Sequence, residues 1–305
     1  MQINDMKEFM QEVEKAVKEA LGEDYRVQLQ EVVKNNGVTM QGLVILSKMQ
    51  NVSPTIYLEP FWSAYQEEIS LEAIVEMILG IYKSDMPAKS IAMDFFKDFG
   101  QVKDRICYKL IHREENRELL REIPHMEFLD LAICFFYAYQ GEELGEGTIL
   151  IHDRHVEMWN TSASELFALA KENTPRIFPW ECRPMDEVIR EIMEDREEWE
   201  QEKLTLPPGD QLPMQILSNR QHVHGASCIL YPGVLEQLSE KEDCDFYILP
   251  SSIHEVILLK DSKDEDTVQL KEMIWDVNRT QVAPEEILSG SLYHFSRVEK
   301  RLNIV

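Results

Sequence analysis

Residues 225–260 carry the most ordered pattern in the chain, GASCILYPGVLEQLSEKEDCDFYILPSSIHEVILLK. Short apolar runs at residues 226–230, 246–249 and 255–259 predict three strands. Between the first two runs, Pro232 begins a segment with helical spacing that extends to Leu238. Pro250 and the two serines that follow it indicate a tight turn. The segment therefore predicts a strand, a helix, a strand, a tight turn and a final strand.

The rest of the chain predicts a mixture of helices and short strands. Residues 4–22 have apolar side chains at helical spacing, and residues 27–33 and 38–46 flank an Asn-Asn-Gly turn that is typical of a β-hairpin. Further strands are predicted at residues 55–58, 105–111, 128–139, 148–151, 214–217 and 292–295. Further helices are predicted after Ser70 and at residues 114–122, 162–173, 185–203 and 267–277. We therefore expect an α+β fold of two mixed lobes, each a mostly antiparallel sheet covered by helices.

A proline-rich stretch predicts the domain boundary. Residues 204–213 read LTLPPGDQLP, with three prolines and one glycine in ten residues. Such a composition is typical of a linker. We therefore expect an N-terminal α+β region at residues 1–203, the linker at 204–213 and a C-terminal α+β lobe at 214–305.

The chain is strongly acidic. Its 305 residues include 31 Lys and Arg against 56 Asp and Glu, which gives a formal net charge of −25. A field of this sign repels the phosphates of nucleic acids and anionic membrane surfaces. Such acidity also serves solubility alone. We expect no nucleic-acid binding and no membrane binding, whereas a basic protein partner is compatible with the charge.

Cysteine spacing and hydropathy predict a soluble cytoplasmic protein. The five cysteines are widely spaced and form no Cys-x-x-Cys pair, which is typical of a reducing compartment. The first residues have an amphipathic helical pattern and not the pattern of a signal peptide. The longest apolar stretch, residues 128–139, is shorter than the roughly 20 residues that a membrane-spanning helix needs.

The turn after Pro250 contains residue types used in nucleophilic catalysis. Ser252, His254 and Glu255 could supply a nucleophile, a base and an orienting carboxylate. On an extended chain, however, Ser252 and His254 share one side while Glu255 points to the other. The favoured interpretation is a tight turn whose hydroxyls and imidazole satisfy local backbone groups.

A second cluster offers the side-chain types of a metal site. His152, His155 and Glu157 form an H-x-x-H-x-E pattern, and a helix would bring the two imidazoles to one side. The spacing differs from the H-E-x-x-H pattern of zinc hydrolases. Because Asp153 and Arg154 favour a solvated connection, we expect no bound metal here and no organic cofactor.

Several stretches resemble the bacterial DUF5688 family, a family of unknown function. They span most of the chain and comprise residues 102–105 (VKDR), 124–125 (PH), 128–132 (FLDLA), 170–175 (AKENTP), 230–235 (LYPGVL), 246–256 (FYILPSSIHEV) and 277–286 (VNRTQVAPEE). The resemblance implies a cytosolic bacterial protein with a compact α+β fold. It implies no activity and carries over no catalytic residue, because a shared fold does not define a function.

Two function classes remain open on the sequence. The leading hypothesis is a non-enzymatic protein-interaction or regulatory module with an acidic surface, because no catalytic constellation is recognisable. The alternative is a hydrolase or transferase with a site near Ser252 and His254. That alternative requires a concave pocket at these residues with His254 facing into it. A third idea is that the acidic helix predicted at residues 185–203 imitates a polyanion.

Overall fold

The computed structural model describes residues 3, 5–48, 53–85, 94–141, 145–194, 214–262 and 266–305. Contacts divide the chain into two compact units, Met1–Phe96 with Tyr139–Gly147 and Lys97–Ala138 with Thr148–Val305. This division differs from the predicted one. The predicted linker at residues 204–213 lies outside the described residues, so a boundary there stays a prediction. The α+β class is confirmed, because antiparallel sheets combine with helices.

Within the residues described, the first unit contains a three-stranded sheet and three α-helices. Its elements are α1 (Met6–Leu21), β1 (Tyr25–Val33), β2 (Thr39–Ser47), β3 (Thr55–Tyr57), α2 (Glu59–Gln66) and α3 (Leu71–Asp85). The predicted hairpin is confirmed, with Val33 opposite Thr39 and Asn36 in the left-handed region at φ 59°. Asn tolerates this conformation better than most residues.

Helix α1 buries the apolar stripe that its sequence predicts. Phe9, Val13 and Val17 are fully buried and pack with residues of the sheet and of α3, including Leu43 and Ile78. Asp5 begins the helix, because its Oδ1 accepts the backbone N–H of Glu8 at 2.8 Å. The amphipathic helix is therefore held by burial of one face, as its spacing predicts.

A four-stranded sheet occupies the middle of the chain. It has the order β4-β6-β5 with β7 paired to β6, and its strands are β4 (Ile106–His112), β5 (His125–Phe128), β6 (Leu131–Gly141) and β7 (Gly145–Leu150). We predicted one strand at residues 128–139, whereas the structure has a hairpin. Leu129 adopts a left-handed φ of 55° and turns the chain between β5 and β6.

The six-stranded sheet has the order β13-β12-β10-β11-β9-β8, with antiparallel pairing throughout. Its strands are β8 (Trp180–Pro184), β9 (Met214–Asn219), β10 (Phe246–Leu249), β11 (Val256–Lys260), β12 (Tyr293–Ser296) and β13 (Arg301–Ile304). The sequence did not predict β8 and β13. Both are short edge strands that are rich in polar residues. Short length and polar side chains at an edge limit unwanted pairing with other strands.

Six helices accompany these two sheets within the described ranges: α4 (Phe99–Val102), α5 (Asp153–Trp159), α6 (Ala163–Ile177), α7 (Met185–Glu194), α8 (Val234–Glu242) and α9 (Thr267–Thr280). We predicted that α6 ends near Asn173, but it continues past Pro175. Its last turn is held by bonds to β4, since Asn173 Nδ2 donates to the carbonyl of Ile106 and Thr174 Oγ1 accepts the N–H of Tyr108. Among the residues described, no helix combines the length and apolarity needed to span a bilayer.

Two predicted elements are wrong. Residues 226–230 form the 3-10 helix Gly225–Leu230 and not a strand. A short apolar run that is buried on all sides fits either structure. Residues 114–122 form turns and a 3-10 helix at Leu119–Arg121 instead of an α-helix. Here Leu120 and Asn116 are buried between exposed ion pairs, so no apolar stripe favours a longer helix.

A buried polar contact joins the β5–β6 turn to the C-terminal strands. The Asp130 carboxylate accepts hydrogen bonds from Ser289 Oγ at 2.6 Å and Tyr293 Oη at 2.5 Å. Burial alone would raise the pKa of Asp130, but these donors and Ser291 outweigh it and lower the pKa. Tyr293 and Ser289 are fully buried, so their hydroxyls depend on this carboxylate.

We expect Asp130→Ala to lower the free energy of unfolding by about 3 kcal/mol, because it leaves two buried hydroxyls without an acceptor. Urea denaturation measures the change. Glu127→Ala is the matched control. Glu127 pairs with Arg113 at 2.8 Å, but its carboxylate is 72% exposed, so its loss should change stability by less than about 0.5 kcal/mol. Equal effects of the two substitutions would contradict the assignment.

Candidate functional site

A cavity of about 560 Å³ lies on one face of the six-stranded sheet. Its floor comes from three neighbouring strands, because Ile216 of β9 lies opposite both Arg183 of β8 and Ile257 of β11. In the next row, Glu181 lies opposite Ser218. Side chains two residues apart on a strand share a face. The walls come from α7, from the end of α9, from the last residue of β10 and from loops: Val188, Glu191, His222, Leu249, Ser251, Ser252, Glu255, Val277, Gln281 and Val282.

The cavity contains more negative than positive groups. Arg183 donates two hydrogen bonds to Glu191, at 2.8 and 2.5 Å, and this contact lowers the pKa of Glu191. Glu181 lies 3.7 Å from His222 Nε2. Glu255 is half-buried and forms no hydrogen bond or ion pair with any residue that the structure describes. The cavity therefore combines apolar walls with an excess of carboxylate.

The structure does not bring Ser252, His254 and Glu255 together as a catalytic triad. Ser252 and Glu255 line the cavity, but His254 is not among its lining residues. Ser252 Oγ accepts the backbone N–H of His254 at 3.0 Å. The His254 ring bonds through Nδ1 to the carbonyl of His222 at 2.9 Å, and its Nε2 lies 3.6 Å from Glu286. Both ring nitrogens thus face groups other than the Ser252 hydroxyl, as the turn interpretation expects.

His152, His155 and Glu157 lie at the N-terminal end and in the first turns of α5. His152 is the N-cap residue of α5, and its backbone N–H donates to His155 Nδ1 at 3.0 Å. Burial, with Arg154 and His152, lowers the pKa of His155. Glu157 is exposed on the helix. The two imidazoles therefore satisfy backbone groups at the end of the helix.

The loop beside the cavity has a constrained backbone. His222 and His224 both adopt left-handed φ values, 52° and 51°. Between them, Val223 is held by the Asn219 side chain, which donates to the Val223 carbonyl at 2.8 Å and accepts its N–H at 3.2 Å. Gly225 follows, and a Cβ there would collide with Ser218 and with the carbonyl of His254.

His224, in the loop beside the cavity, has a buried ring nitrogen. Its ring stacks on His254 with centroids 6.0 Å apart and an interplanar angle of 7°. Nδ1 is buried and has no hydrogen-bond partner among the described residues. Burial, together with Lys109 and His254, lowers the pKa of His224 to about 3. The imidazole is therefore neutral at physiological pH.

Sequence reasoning missed the cavity residues of β8 and α9. Glu181 and Arg183 alternate with Trp180 and Cys182 in WECRP, which is a weak strand signal, and the strand itself was not predicted. Val277 is the last residue of a predicted helix and Gln281 lies four residues beyond it, but their position at the cavity depends on long-range packing. Lys109 lies in a predicted strand, and its burial lowers its pKa.

A comparison with protein families gives one match. The model described as "Family of unknown function (DUF5688)" matches residues 6–297, nearly the whole chain. This confirms the resemblance found from the sequence. No curated protein and no solved structure matches the chain significantly.

The pKa of His224 predicts a pH dependence of stability. Unfolded His224 has its ordinary pKa of 6.5, and the folded value is about 3. Between these values the unfolded chain binds a proton that the folded chain does not. The contribution of the neutral His224 to the free energy of unfolding is therefore fully present above pH 6.5 and is lost as the pH falls towards 3. Between pH 6.5 and pH 5, protonation of His224 in the unfolded chain lowers the free energy of unfolding by about 2 kcal/mol. We expect His224→Asn, which tolerates a positive φ, to remove that part of the slope in urea denaturation.

His222→Asn is the matched control for this measurement. His222 has a similar φ, but its side chain is 63% exposed. Its substitution should leave the slope of the wild type unchanged. If the slope of His224→Asn also stayed parallel to that of the wild type, His224 would not be the titrating group.

Proposed function

The chain belongs to the DUF5688 family of unknown function, and from the geometry of its cavity we propose that it is a non-catalytic binding module for a basic protein partner. The cavity takes up a lysine or arginine side chain of that partner. The observation that carries this proposal is the Glu255 carboxylate, which has no partner among the described residues and lies on the wall of a largely apolar cavity.

An unpaired carboxylate in such a place favours a cationic ligand. Partial burial of a charge is unfavourable unless an opposite charge accompanies it. Arg183, the one lysine or arginine among the lining residues that the structure describes, is already bonded to Glu191. A cation that enters the cavity meets Glu255 and Glu181 without competition from Arg183.

The apolar part of the cavity suits the stem of the same side chain. Ile216, Leu249, Ile257 and Val277 line it. Lysine and arginine bury their methylene groups against apolar surface and direct the charged end to polar groups. A volume of about 560 Å³ lies in the range of ligand pockets in proteins and exceeds the volume of one such side chain. A short basic segment therefore fits better than a single ion.

The charge of the whole chain supports the same partner class. A formal net charge of −25 attracts a basic protein and raises its association rate at low ionic strength. All five cysteines are free, which supports a place in the reducing cytosol for both partners.

The hydrolase or transferase alternative has less support. It needs a base that takes the proton of Ser252 Oγ, and the His254 ring bonds to the His222 carbonyl instead. Ser252 Oγ itself is engaged as an acceptor by the N–H of His254. These contacts fit a turn that shapes the cavity wall.

Fluorescence anisotropy with a labelled nine-residue peptide of alternating leucine and lysine tests the proposal. We expect binding to the wild-type protein at low salt and at least fivefold weaker binding to Glu255→Gln, because the substitution removes the acceptor of the lysine ammonium. The matched control is Glu240→Gln, which makes the same change of charge at an exposed position of α8 outside the cavity. Its affinity should stay within about twofold of the wild type.

Three outcomes would contradict the proposal. The first is equal weakening by the two substitutions, which would mean that only the overall field attracts the peptide. The second is equal binding of a leucine–glutamate peptide. The third is hydrolysis of an ester or peptide substrate that Ser252→Ala abolishes, which would favour the catalytic alternative.

A further inference from the structure

Two aspartates and a histidine lie together on the sheet face that also carries the cavity. Asp245 directly precedes β10, Asp261 directly follows β11, and His294 belongs to β12. The registers bring them side by side, with Phe246 opposite Lys260 and Tyr247 opposite His294. Because side chains alternate along a strand, Asp245, Asp261 and His294 point to the same face. The three residues come from three adjacent strands, so the pattern is invisible in the sequence.

The ligand-type atoms of this group are close to one another. One carboxylate oxygen of Asp245, one of Asp261 and a ring nitrogen of His294 all lie within 4.8 Å of one another. His294 Nε2 and Asp261 Oδ2 are 3.0 Å apart. Neighbouring ligands of one ion have about this spacing when each metal–ligand bond is about 2.1 Å.

The surrounding structure orients the three side chains. Asp245 Oδ1 accepts the backbone N–H of Arg297 at 2.9 Å, and the carbonyl of Asp245 accepts the N–H of Asp261 at 2.9 Å. The ring of Tyr247 packs against His294 with centroids 5.1 Å apart. Metal sites depend on such supporting contacts to hold their ligands.

Two cations near the group are bonded to carboxylates outside it. Lys260 Nζ contacts Glu242 Oε2 at 2.5 Å, and the Arg297 guanidinium bonds to Asp243. A divalent ion balances the two negative charges of Asp245 and Asp261. The imidazole of His294 carries at most one positive charge and does not balance both.

We infer that Asp245, Asp261 and His294 bind a divalent first-row transition metal ion such as Zn²⁺. Imidazole nitrogen favours these metals over Mg²⁺ and Ca²⁺, which prefer oxygen ligands alone. Three protein ligands leave at least one coordination position open to water or to another ligand. Asp261 lies six residues along the chain from Glu255, or about 20 Å in an extended strand. None of the three ligands is among the described residues that line the proposed peptide cavity, so the metal site does not depend on that cavity.

Isothermal titration of the full-length protein with Zn²⁺ tests this inference. We expect the wild type to bind one ion with at least tenfold higher affinity than Asp245→Asn, Asp261→Asn and His294→Gln. Zn²⁺ should also raise the thermal unfolding temperature of the wild type and not that of the three variants, because a ligand of the folded state stabilises it. Mg²⁺ should produce neither effect.

Two control variants exclude other ligands. Cys244→Ser removes the half-buried thiol next to Asp245. His152→Gln changes the pair of histidines, His152 and His155, at the start of α5. Both should bind Zn²⁺ like the wild type. Loss of Zn²⁺ binding in either control would overturn the assignment. Unchanged binding in both Asp245→Asn and His294→Gln would also overturn it. So would the absence of binding by the wild type at about millimolar Zn²⁺. Matching circular dichroism spectra establish that the compared variants are folded.

Discussion

The Asp130 carboxylate determines how two parts of the chain far apart in sequence come together. It accepts hydrogen bonds from Ser289 and Tyr293, which are 159 and 163 residues away. One partner, Tyr293, begins β12, which places His294 beside Tyr247. A charged acceptor for buried hydroxyls is stronger than a neutral one, and its loss leaves each donor unsatisfied. This bond therefore holds the start of β12, the strand that carries His294, against the turn between β5 and β6.

The sequence predicted those elements whose apolar pattern coincides with burial on one or both faces. Helix α1 and strands β1, β2, β10 and β11 belong to this group. The apolar pattern did not predict elements whose backbone conformation depends on other interactions. The edge strands β8 and β13 are polar, and the buried 3-10 helix at Gly225–Leu230 has the same apolar pattern as a strand. Helix α6 passes Pro175 because side-chain bonds to β4 hold its last turn, and such bonds leave no local signal.

The candidate sites were predictable only where one segment supplies several residues. The turn at Ser252 and Glu255 drew attention because of its residue types, and both residues line the cavity. Their partners across the cavity, Glu181 and Arg183, come from an edge strand more than 60 residues earlier in the chain. The group of Asp245, Asp261 and His294 likewise exists only once three strands are in register. Strand pairing over such separations is not encoded in local periodicity.

The position of β8 at the end of the sheet has a consequence for access. In the described part of the sheet, β8 is hydrogen-bonded to β9 alone. Edge strands of this kind can detach by local fluctuation while the central strands stay intact, and amide hydrogen exchange detects such openings. The part of the cavity floor formed by β9 and β11 thus stays in place, whereas the part formed by β8 can detach. Local opening of this one ladder exposes the cavity floor, and the core need not unfold.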